Sequence, residues 1–196
     1  MKEYYEARAP EYDDWWLGAG LFTDRDRPGW ETERDALIET LSALAPARTL
    51  DVACGTGFLT QHLPGRITGL DASGTMLGIA AARIPDAAFV ESDALRLPFE
   101  DGSFERVFSS NFYGHLEEVE RQRFLAEARR LASELVLVDS SMGRAPVEVE
   151  WQPRVLNDGS EWEIYKRYFT PERLSVELDG AETLFAGEWF VAVRAT

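Results

Sequence analysis

Apolar residues recur along the chain with two periods, one typical of buried strands and one typical of helices with a single buried face. Short apolar runs predict five strands before residue 140, with helices between them. The predicted strands cover residues 49–52, 66–71, 88–92, 104–109 and 134–139. The predicted helices cover residues 30–44, 58–63, 73–83 and 117–131. Strands that alternate with helices predict a parallel sheet with helices on both faces.

The C-terminal part of the chain is less regular. Residues 161–169 alternate in part between apolar and polar positions, which predicts an extended segment. Thr170 followed by Pro171 is a typical helix start, because threonine caps a helix and proline suits its first position. Two closing strands, 182–186 and 188–194, are predicted on either side of Gly187.

The turn after the first predicted strand carries the first chemical signal. Ala53, Gly55 and Gly57 have small or absent side chains, so a ligand can approach the backbone closely. A strand, a tight turn and a helix form the nucleotide-binding edge of many α/β sheets. The dinucleotide fingerprint needs another small residue three positions after Gly57, where Thr60 stands. A turn that only packs a helix on the sheet is the alternative interpretation.

Acidic residues end the second and third predicted strands. Asp71 lies twenty residues after Asp51 and can accept hydrogen bonds from both hydroxyls of a ribose. Asp93 and Ala94 follow the third strand. The carboxyl ends of parallel strands share one edge of a sheet, so these residues are expected to meet the small-residue turn there.

The composition restricts the classes of partner. A chain of 196 residues, 45% hydrophobic and 28% charged, is expected to form one globular domain. Its formal charge of −15 argues against nucleic-acid binding and against binding to an anionic membrane surface, because both need basic residues.

Few residues are suited to metal or thiol chemistry. Cys54 is the single cysteine, which excludes an intrachain disulfide, and its place in the turn favours packing over catalysis. His62 and His115 are the only histidines, and no carboxylate cluster has ligand spacing, so no metal is expected. The first nine residues lack an apolar leader and no apolar run approaches a membrane span, so a cytoplasmic location is expected.

An aromatic and charged arm, residues 4–16, precedes the first strand. It is either a helix that caps the sheet or a lid over a ligand. As a lid it would offer the hydroxyl and guanidinium groups of Tyr5, Arg8 and Tyr12. Residues 18–29 lack periodicity and predict a loop.

Several segments in the right order resemble class I S-adenosylmethionine-dependent methyltransferases, most closely the small ones related to ubiquinone and menaquinone biosynthesis. The resemblance covers about residues 4–140. Leu50–Gly57 resembles the first motif of the family, with Ala53 at its first glycine. Residues 97–107 resemble its run into strand four, with Glu105 in place of an aspartate. The opening residues 4–13 are similar to the cofactor lid of the group.

The resemblance implies an α/β fold that is Rossmann-like and doubly wound, with a mostly parallel seven-stranded sheet and a C-terminal antiparallel hairpin. It implies S-adenosyl-L-methionine as cofactor and S-adenosylhomocysteine as product. It places the cofactor ribose at Asp71, the adenine at Asp93 and Ala94, and the methionine end at the turn and Ser110. The full set of expected cofactor-binding residues is Tyr12, Asp51, Ala53, Gly55, Thr56, Gly57, Asp71, Ala72, Met76, Asp93, Ala94 and Ser110.

Methyl transfer from a sulfonium is an in-line displacement in which alignment carries much of the catalysis. A general base is needed only where the nucleophile arrives protonated. His115, shortly after the fourth strand, is the candidate base, and packing at a helix start is the alternative. Asn111 and Tyr113 are candidates to orient a small-molecule acceptor by hydrogen bonds.

The expected organisation is a single methyltransferase domain over residues 1–196, with a lid and loop at 1–29 and an acceptor-side insert at 141–169. The insert and its flank contain residues that would either face an acceptor or cover the sheet: Trp151, Arg154, Trp162, Tyr165, Lys166, Arg167 and Tyr168. Two competing functions are a non-catalytic module that binds S-adenosylmethionine and a dinucleotide enzyme. The acceptor, the atom methylated and the oligomeric state are left open by the sequence.

Overall fold

A seven-stranded sheet forms the centre of the computed structural model, which describes all 196 residues. Its strands are β1 (Ala47–Val52), β2 (Gly65–Asp71), β3 (Ala88–Glu91), β4 (Arg106–Ser110), β5 (Glu134–Ser140), β8 (Glu182–Ala186) and β9 (Phe190–Ala195), while β6 (Val149–Val155) and β7 (Glu161–Arg167) form a separate hairpin. The strand order is β3-β2-β1-β4-β5-β9-β8. Strands β1 to β5 are parallel, and β9 runs antiparallel between β5 and β8. The predicted fold class is confirmed.

Helices cover both faces of the sheet because residues along its strands alternate between two cores. The helices are α1 (Lys2–Arg8), α2 (Asp14–Leu17), α3 (Trp30–Ser42), α4 (Gly74–Arg83), α5 (Glu118–Leu131) and α6 (Pro171–Glu177). Leu37 of α3 packs in the same core as Phe108 of β4. Phe124 of α5 packs in the other core, with Val107, the residue that precedes Phe108 in β4. None of these helices is long and apolar enough to cross a membrane.

Three helix starts follow the capping signals in the sequence. The Ser73 hydroxyl accepts a hydrogen bond from the Met76 backbone at 3.1 Å, and Thr170 accepts one from Arg173 at 3.2 Å. Glu117 and Glu120 form a reciprocal capping box at the start of α5.

The predicted helix at 58–63 is wrong in extent. Only one 3₁₀ turn forms, at Thr60–His62. Leu63 is extended, with φ −77° and ψ 131°, because it precedes Pro64 and that position avoids the helical region.

The β6–β7 hairpin stands outside the main sheet and confirms, over residues 161–167, the extended conformation predicted for 161–169. A buried ion pair anchors it, since Lys166 Nζ lies 2.7 Å from Asp139 Oδ1 at the end of β5. Ile164 and Leu156 pack with Tyr4 of α1 in a small apolar cluster. The hairpin and the N-terminal arm therefore lie against each other over the same edge of the sheet.

The chain order places a crevice at the carboxyl ends of β1 and β4. From β1 the chain continues outward through β2 and β3 on one side, and β4 and β5 follow on the other. Open α/β sheets bind ligands at such a switch point, because the connections diverge there.

Candidate functional site

A cavity of about 560 Å³ lies at this carboxyl edge. This volume is within the usual range for small-molecule sites. It brings together residues that the sequence predicts for cofactor binding, from the arm and from the ends of four strands. These are Tyr12, Ala53, Gly55, Asp71, Ala72, Met76, Asp93, Ala94 and Ser110.

The turn between β1 and the following 3₁₀ turn adopts left-handed backbone conformations. Ala53, Gly55 and Gly57 have φ of 60°, 54° and 75°. This is unusual for alanine and easy for glycine. A Cβ on Gly57 would lie 3.2 Å from the Ile84 side chain, so the missing side chain there serves the packing of α4. Gly55 and Ala53 line the cavity itself.

Asp71 is held in place by backbone donors. Its Oδ2 accepts from the Gly55 N–H and its Oδ1 from the Ser73 N–H, both at 2.9 Å. Burial raises the pKa of Asp71 above its usual value, and these hydrogen bonds oppose the rise. Each carboxylate oxygen retains acceptor capacity, so the group fits the two hydroxyls of a ribose.

Asp93 lines the same cavity and is exposed. Its Oδ1 accepts from the Leu95 N–H at 2.9 Å, and its Oδ2 has no protein donor. A free carboxylate oxygen beside an apolar wall that includes Ala94 and Met76 suits a flat ring with an amino group. The donors and acceptors of this cavity therefore fit a nucleoside-containing cofactor.

Three of the predicted cofactor residues do not line the cavity: Asp51, Thr56 and Gly57. Asp51 is fully buried behind the turn, where its Oδ2 accepts from the Thr60 hydroxyl at 2.6 Å. Burial raises the pKa of Asp51 to about 8. The Thr56 hydroxyl donates to Asp13 at 2.6 Å and so ties the arm to the turn. Direct contact of these residues with a cofactor remains a prediction.

Helix α1 lies across the mouth of the cavity, where Met1, Lys2 and Tyr5 line it. Glu6 accepts hydrogen bonds from the Gly74 and Thr75 N–H groups at the start of α4, at 2.8 and 3.2 Å. Lys2 Nζ lies 2.7 Å from the carboxylate of Glu91. These links favour the lid interpretation over a helix that only caps the sheet.

A second cavity of about 480 Å³ lies on the other side of the arm. Its walls come from the arm, the loop before α3 and the β6–β7 hairpin. Tyr5, Tyr12 and Asn111 line both cavities. The two spaces therefore meet at these three side chains.

Asn111 follows β4 with φ 52°, in the left-handed region that asparagine tolerates better than most residues. Both its amide oxygen and its amide nitrogen are buried, and neither has a hydrogen-bond partner. A buried amide without partners is costly in free energy. Its position between the cavities suits hydrogen bonds to bound ligands.

His115 lines the second cavity and is buried. Its Nδ1 lies 2.7 Å from the carbonyl oxygen of Tyr165, which assigns the proton to Nδ1 and leaves Nε2 as an acceptor. Burial, together with the charge of Lys166, lowers the pKa of His115 well below its usual value. The ring is therefore neutral at pH 7, as a general base must be.

Of the seven residues predicted either to face an acceptor or to cover the sheet, only three line the second cavity. Arg154, Lys166 and Tyr168 line the second cavity. The other four lie elsewhere: Trp151 is 59% exposed, Trp162 packs on Tyr4, Tyr165 packs on Trp151, and Arg167 pairs with Glu148 and Glu177.

Two further candidates lie outside the cavities. Tyr113 is buried, and its hydroxyl donates to Glu177 at 2.9 Å, so it does not line either cavity. Burial raises the pKa of the Cys54 thiol well above its usual value, which keeps it protonated and unreactive.

Sequence reasoning missed several residues of the second cavity. Arg25, Arg27 and Arg144 line it, and Asp139 holds Lys166 at its edge. The one local sequence signal for these cavity residues was the pair Arg25 and Arg27, which is unusual in an acidic chain. Their convergence with Arg154 depends on contacts between distant segments, which no local pattern shows.

Comparison with known proteins finds similarity to methyltransferases. Residues 49–134 match the family described as a methyltransferase domain. In its strand order and its cavity the chain is similar to the class I S-adenosylmethionine-dependent methyltransferases. The resemblance predicted from the sequence is confirmed.

The curated relatives include two demethylmenaquinone methyltransferases. That of Thermotoga maritima is 37% identical over 109 residues, which are 53% of this chain and 47% of the relative. That of Deinococcus radiodurans is 40% identical over 116 residues, 55% of this chain and 46% of the relative. The chain thus spans about half the length of these relatives.

Among solved structures, one described as a DhpI-SAM-HEP complex shares the fold over nearly the whole chain. Its TM-score is 0.78 at 23% identity, with 99% of this chain and 94% of that chain covered.

Proposed function

We propose that the protein is a methyltransferase that transfers a methyl group from S-adenosylmethionine to a small molecule. The cofactor occupies the 560 Å³ cavity and the acceptor occupies the 480 Å³ cavity. The observation that supports this most is the shared wall of Tyr5, Tyr12 and Asn111, because methyl transfer needs donor and acceptor to meet in line.

The bound cofactor supplies an activated methyl group on a positively charged sulfur. Asp71 accepts hydrogen bonds from the ribose, and Asp93 with Ala94 binds the adenine. Ala53, Gly55 and Ser110 flank the methionine end. The tyrosines of the lid exclude water from the reacting atoms, so that the aligned acceptor reacts with the methyl group and water does not.

His115 takes up the proton of an acceptor that arrives protonated. Its Nε2 has no protein partner, and the Tyr165 carbonyl fixes the ring in the matching tautomer. When bound, the cofactor would supply the methyl carbon: the acceptor lone pair would bond to that carbon, and the carbon–sulfur electron pair would stay on the sulfur of S-adenosylhomocysteine.

The proposal includes the organisation of the chain as one methyltransferase domain. Residues 1–29 act as lid and loop, and residues 141–169 act as the acceptor-side insert. The names of the curated relatives make a demethylmenaquinone-like acceptor one candidate.

Isothermal calorimetry with S-adenosylhomocysteine and NAD tests the cofactor assignment. We expect S-adenosylhomocysteine to bind and NAD not to bind. The reverse result would overturn the proposal. Turnover of any member of an acceptor library then separates an enzyme from a module that only binds the cofactor, and its absence with every acceptor would favour the module.

A further inference from the structure

The second cavity has a charge opposite to that of the chain. Two acids line it, Asp26 and Glu150. The cationic residues that line it are Arg8, Arg25, Arg27, Arg144, Arg154 and Lys166. The chain as a whole carries 20 basic and 35 acidic residues, so this concentration is not a reflection of composition.

Some of these cations are already neutralised. Lys166 pairs with Asp139 at 2.7 Å, and Arg144 pairs with Glu188 at 3.4 Å. Arg8, Arg25, Arg27 and Arg154 have no carboxylate within the 4.0 Å of a salt bridge, and Arg27 donates instead to the Trp15 carbonyl at 2.6 Å. Besides Arg27, three positive charges therefore lack a carboxylate partner in the protein.

Of these three arginines, Arg8 is the one whose charge is most costly to leave without a counter-ion, because it is only 6% exposed. Its guanidinium donates to the Tyr4 hydroxyl and lies 5.6 and 5.3 Å from the ring centres of Tyr4 and Tyr12. These contacts are with neutral groups. A buried charge without a counter-ion is costly, so the site is completed by an anion from outside the chain.

The other two arginines point to the same space. Arg154 donates to the amide oxygen of Gln152, which is also neutral. Burial and the positive charges of Arg154 and Arg8 lower the pKa of Arg25, as expected for three guanidinium groups around one space. The positive charges of Arg154 and Arg8 also lower the pKa of His115, so this space adjoins the candidate base.

We propose that the methyl acceptor carries an oxyanion, a carboxylate or a phosphate-type group, bound by Arg8, Arg25 and Arg154. The planar fork of arginine matches the paired oxygens of such groups. This inference rests on the proposed function, because it assigns the chemistry of the same acceptor cavity. It distinguishes the chain from an enzyme that binds an uncharged quinone ring.

The arrangement also orients the acceptor. With its anionic group held by the arginines, the remainder of a small acid extends towards His115 and Asn111. The nucleophilic atom then lies at the wall shared with the cofactor cavity. Acid recognition and nucleophile positioning are thus separated along one cavity.

The test is an anion titration of the protein saturated with S-adenosylhomocysteine, at constant ionic strength. Inorganic phosphate and succinate are added, and binding is followed by calorimetry and by tryptophan fluorescence, because Trp15, Trp30 and Trp189 line the cavity. We expect saturable binding of at least one anion. The stronger of the two identifies the phosphate or the carboxylate class.

The double variant Arg25→Gln with Arg154→Gln is expected to weaken anion binding by at least about tenfold, since hydrogen bonds to charged groups are lost. Arg66→Gln with Arg123→Gln is the matched control, because both residues are exposed, lack salt bridges and lie outside the cavity. It removes the same charge and is expected to change the anion affinity by less than about twofold, as screened surface charges contribute little.

Absence of saturable binding of both anions, or equal weakening in the two double variants, would overturn the oxyanion site. The affinity for S-adenosylhomocysteine is expected to stay the same in all variants. If S-adenosylhomocysteine does not bind, the proposed function fails, and the titration repeated on the protein alone still decides the oxyanion site.

Discussion

Asn111 sits in a left-handed conformation where the two cavities meet, with both polar atoms of its amide buried and unpartnered. A residue kept in such a state is a sign of function, because stability alone would favour a different residue. The amide can accept from one ligand and donate to another, which suits a position between donor and acceptor.

Asn111→Gly tests this role. Glycine adopts the same φ without strain and removes an unsatisfied buried amide, so the free energy of unfolding is expected to change by less than about 1 kcal/mol. Methyl transfer is expected to slow, because the orienting hydrogen bonds are lost. Urea unfolding and single-turnover rates measure the two effects. A large loss of stability would instead assign Asn111 to the fold.

His115→Gln is expected to lower the rate of methyl transfer to a protonated acceptor by about 10²-fold or more, as for loss of a general base. The pKa of His115 is lowered, so the base stays neutral at pH 6.5 and the acid limb of the wild-type rate profile is expected well below that pH. The limb is expected to disappear in the variant.

His62→Gln is the control for this prediction. His62 is half-buried and lines neither cavity, so its loss is expected to leave the profile unchanged. An acid limb that persists in His115→Gln would remove the base assignment and leave the cofactor assignment intact.

The lid and the hairpin are the elements that complete the site. Helix α1 covers one cavity and forms a wall of the other, and its Tyr4 packs with Leu156 and Ile164 around the hairpin. Only a few side-chain links hold α1 to the sheet, among them the Glu6 carboxylate at the start of α4. The strength of these links sets how easily a ligand leaves.

Glu6→Gln is expected to speed the dissociation of S-adenosylhomocysteine, because a neutral amide interacts less well with the positive end of α4. Hydrogen bonds from Thr75 and Gly74 lower the pKa of Glu6, so the wild-type dissociation rate is expected to be flat above the usual pKa of a glutamate. It is expected to rise as the pH falls through the lowered value. Stopped-flow fluorescence measures both.

Glu3→Gln provides the matched comparison, since Glu3 lies on the same helix, is exposed and has no salt bridge. Equal dissociation rates for Glu6→Gln and wild type would show that the Glu6 link does not hold the lid.

At the scale of elements, the strands and helices between residues 30 and 140 were predictable, except for the helix at 58–63, because their periodicity is local. The caps at Ser73 and Thr170 were equally visible. The cavity walls were predictable only in part. Asp71 follows from its place at a strand end, whereas the partnership of Lys166 with Asp139 joins segments 27 residues apart. The left-handed Asn111 has no sequence signature, because many asparagines occupy ordinary turns.

At the scale of the whole molecule, buried Asp51 couples the stability of the fold to pH. Its pKa rises from 3.8 to about 8 on folding, so the unfolded chain ionises across this interval while the folded chain keeps the proton. The contribution to stability is present in full below the unfolded pKa and is lost as the pH rises through about 8.

Asp51→Asn removes this coupling, because asparagine stays neutral at every pH. The substitution itself changes the free energy of unfolding by an amount that does not depend on pH. Beyond that amount, the free energy of unfolding of the variant is expected to increase relative to that of wild type as the pH rises from 4 towards 8. Urea unfolding across the interval measures it. Asp86→Asn, at an exposed position, is expected to show no such trend. Parallel profiles for Asp51→Asn and wild type would contradict the raised pKa.

The shared wall between the cavities also dictates an order of addition. Tyr4, Tyr5 and Arg8 lie on α1, which also lines the proposed cofactor cavity, so the proposed acceptor cavity has its full set of walls only while α1 lies over the cofactor cavity. We expect the methyl donor to enter first and the spent donor to leave last. In steady-state kinetics, S-adenosylhomocysteine would then compete with S-adenosylmethionine and not with the acceptor.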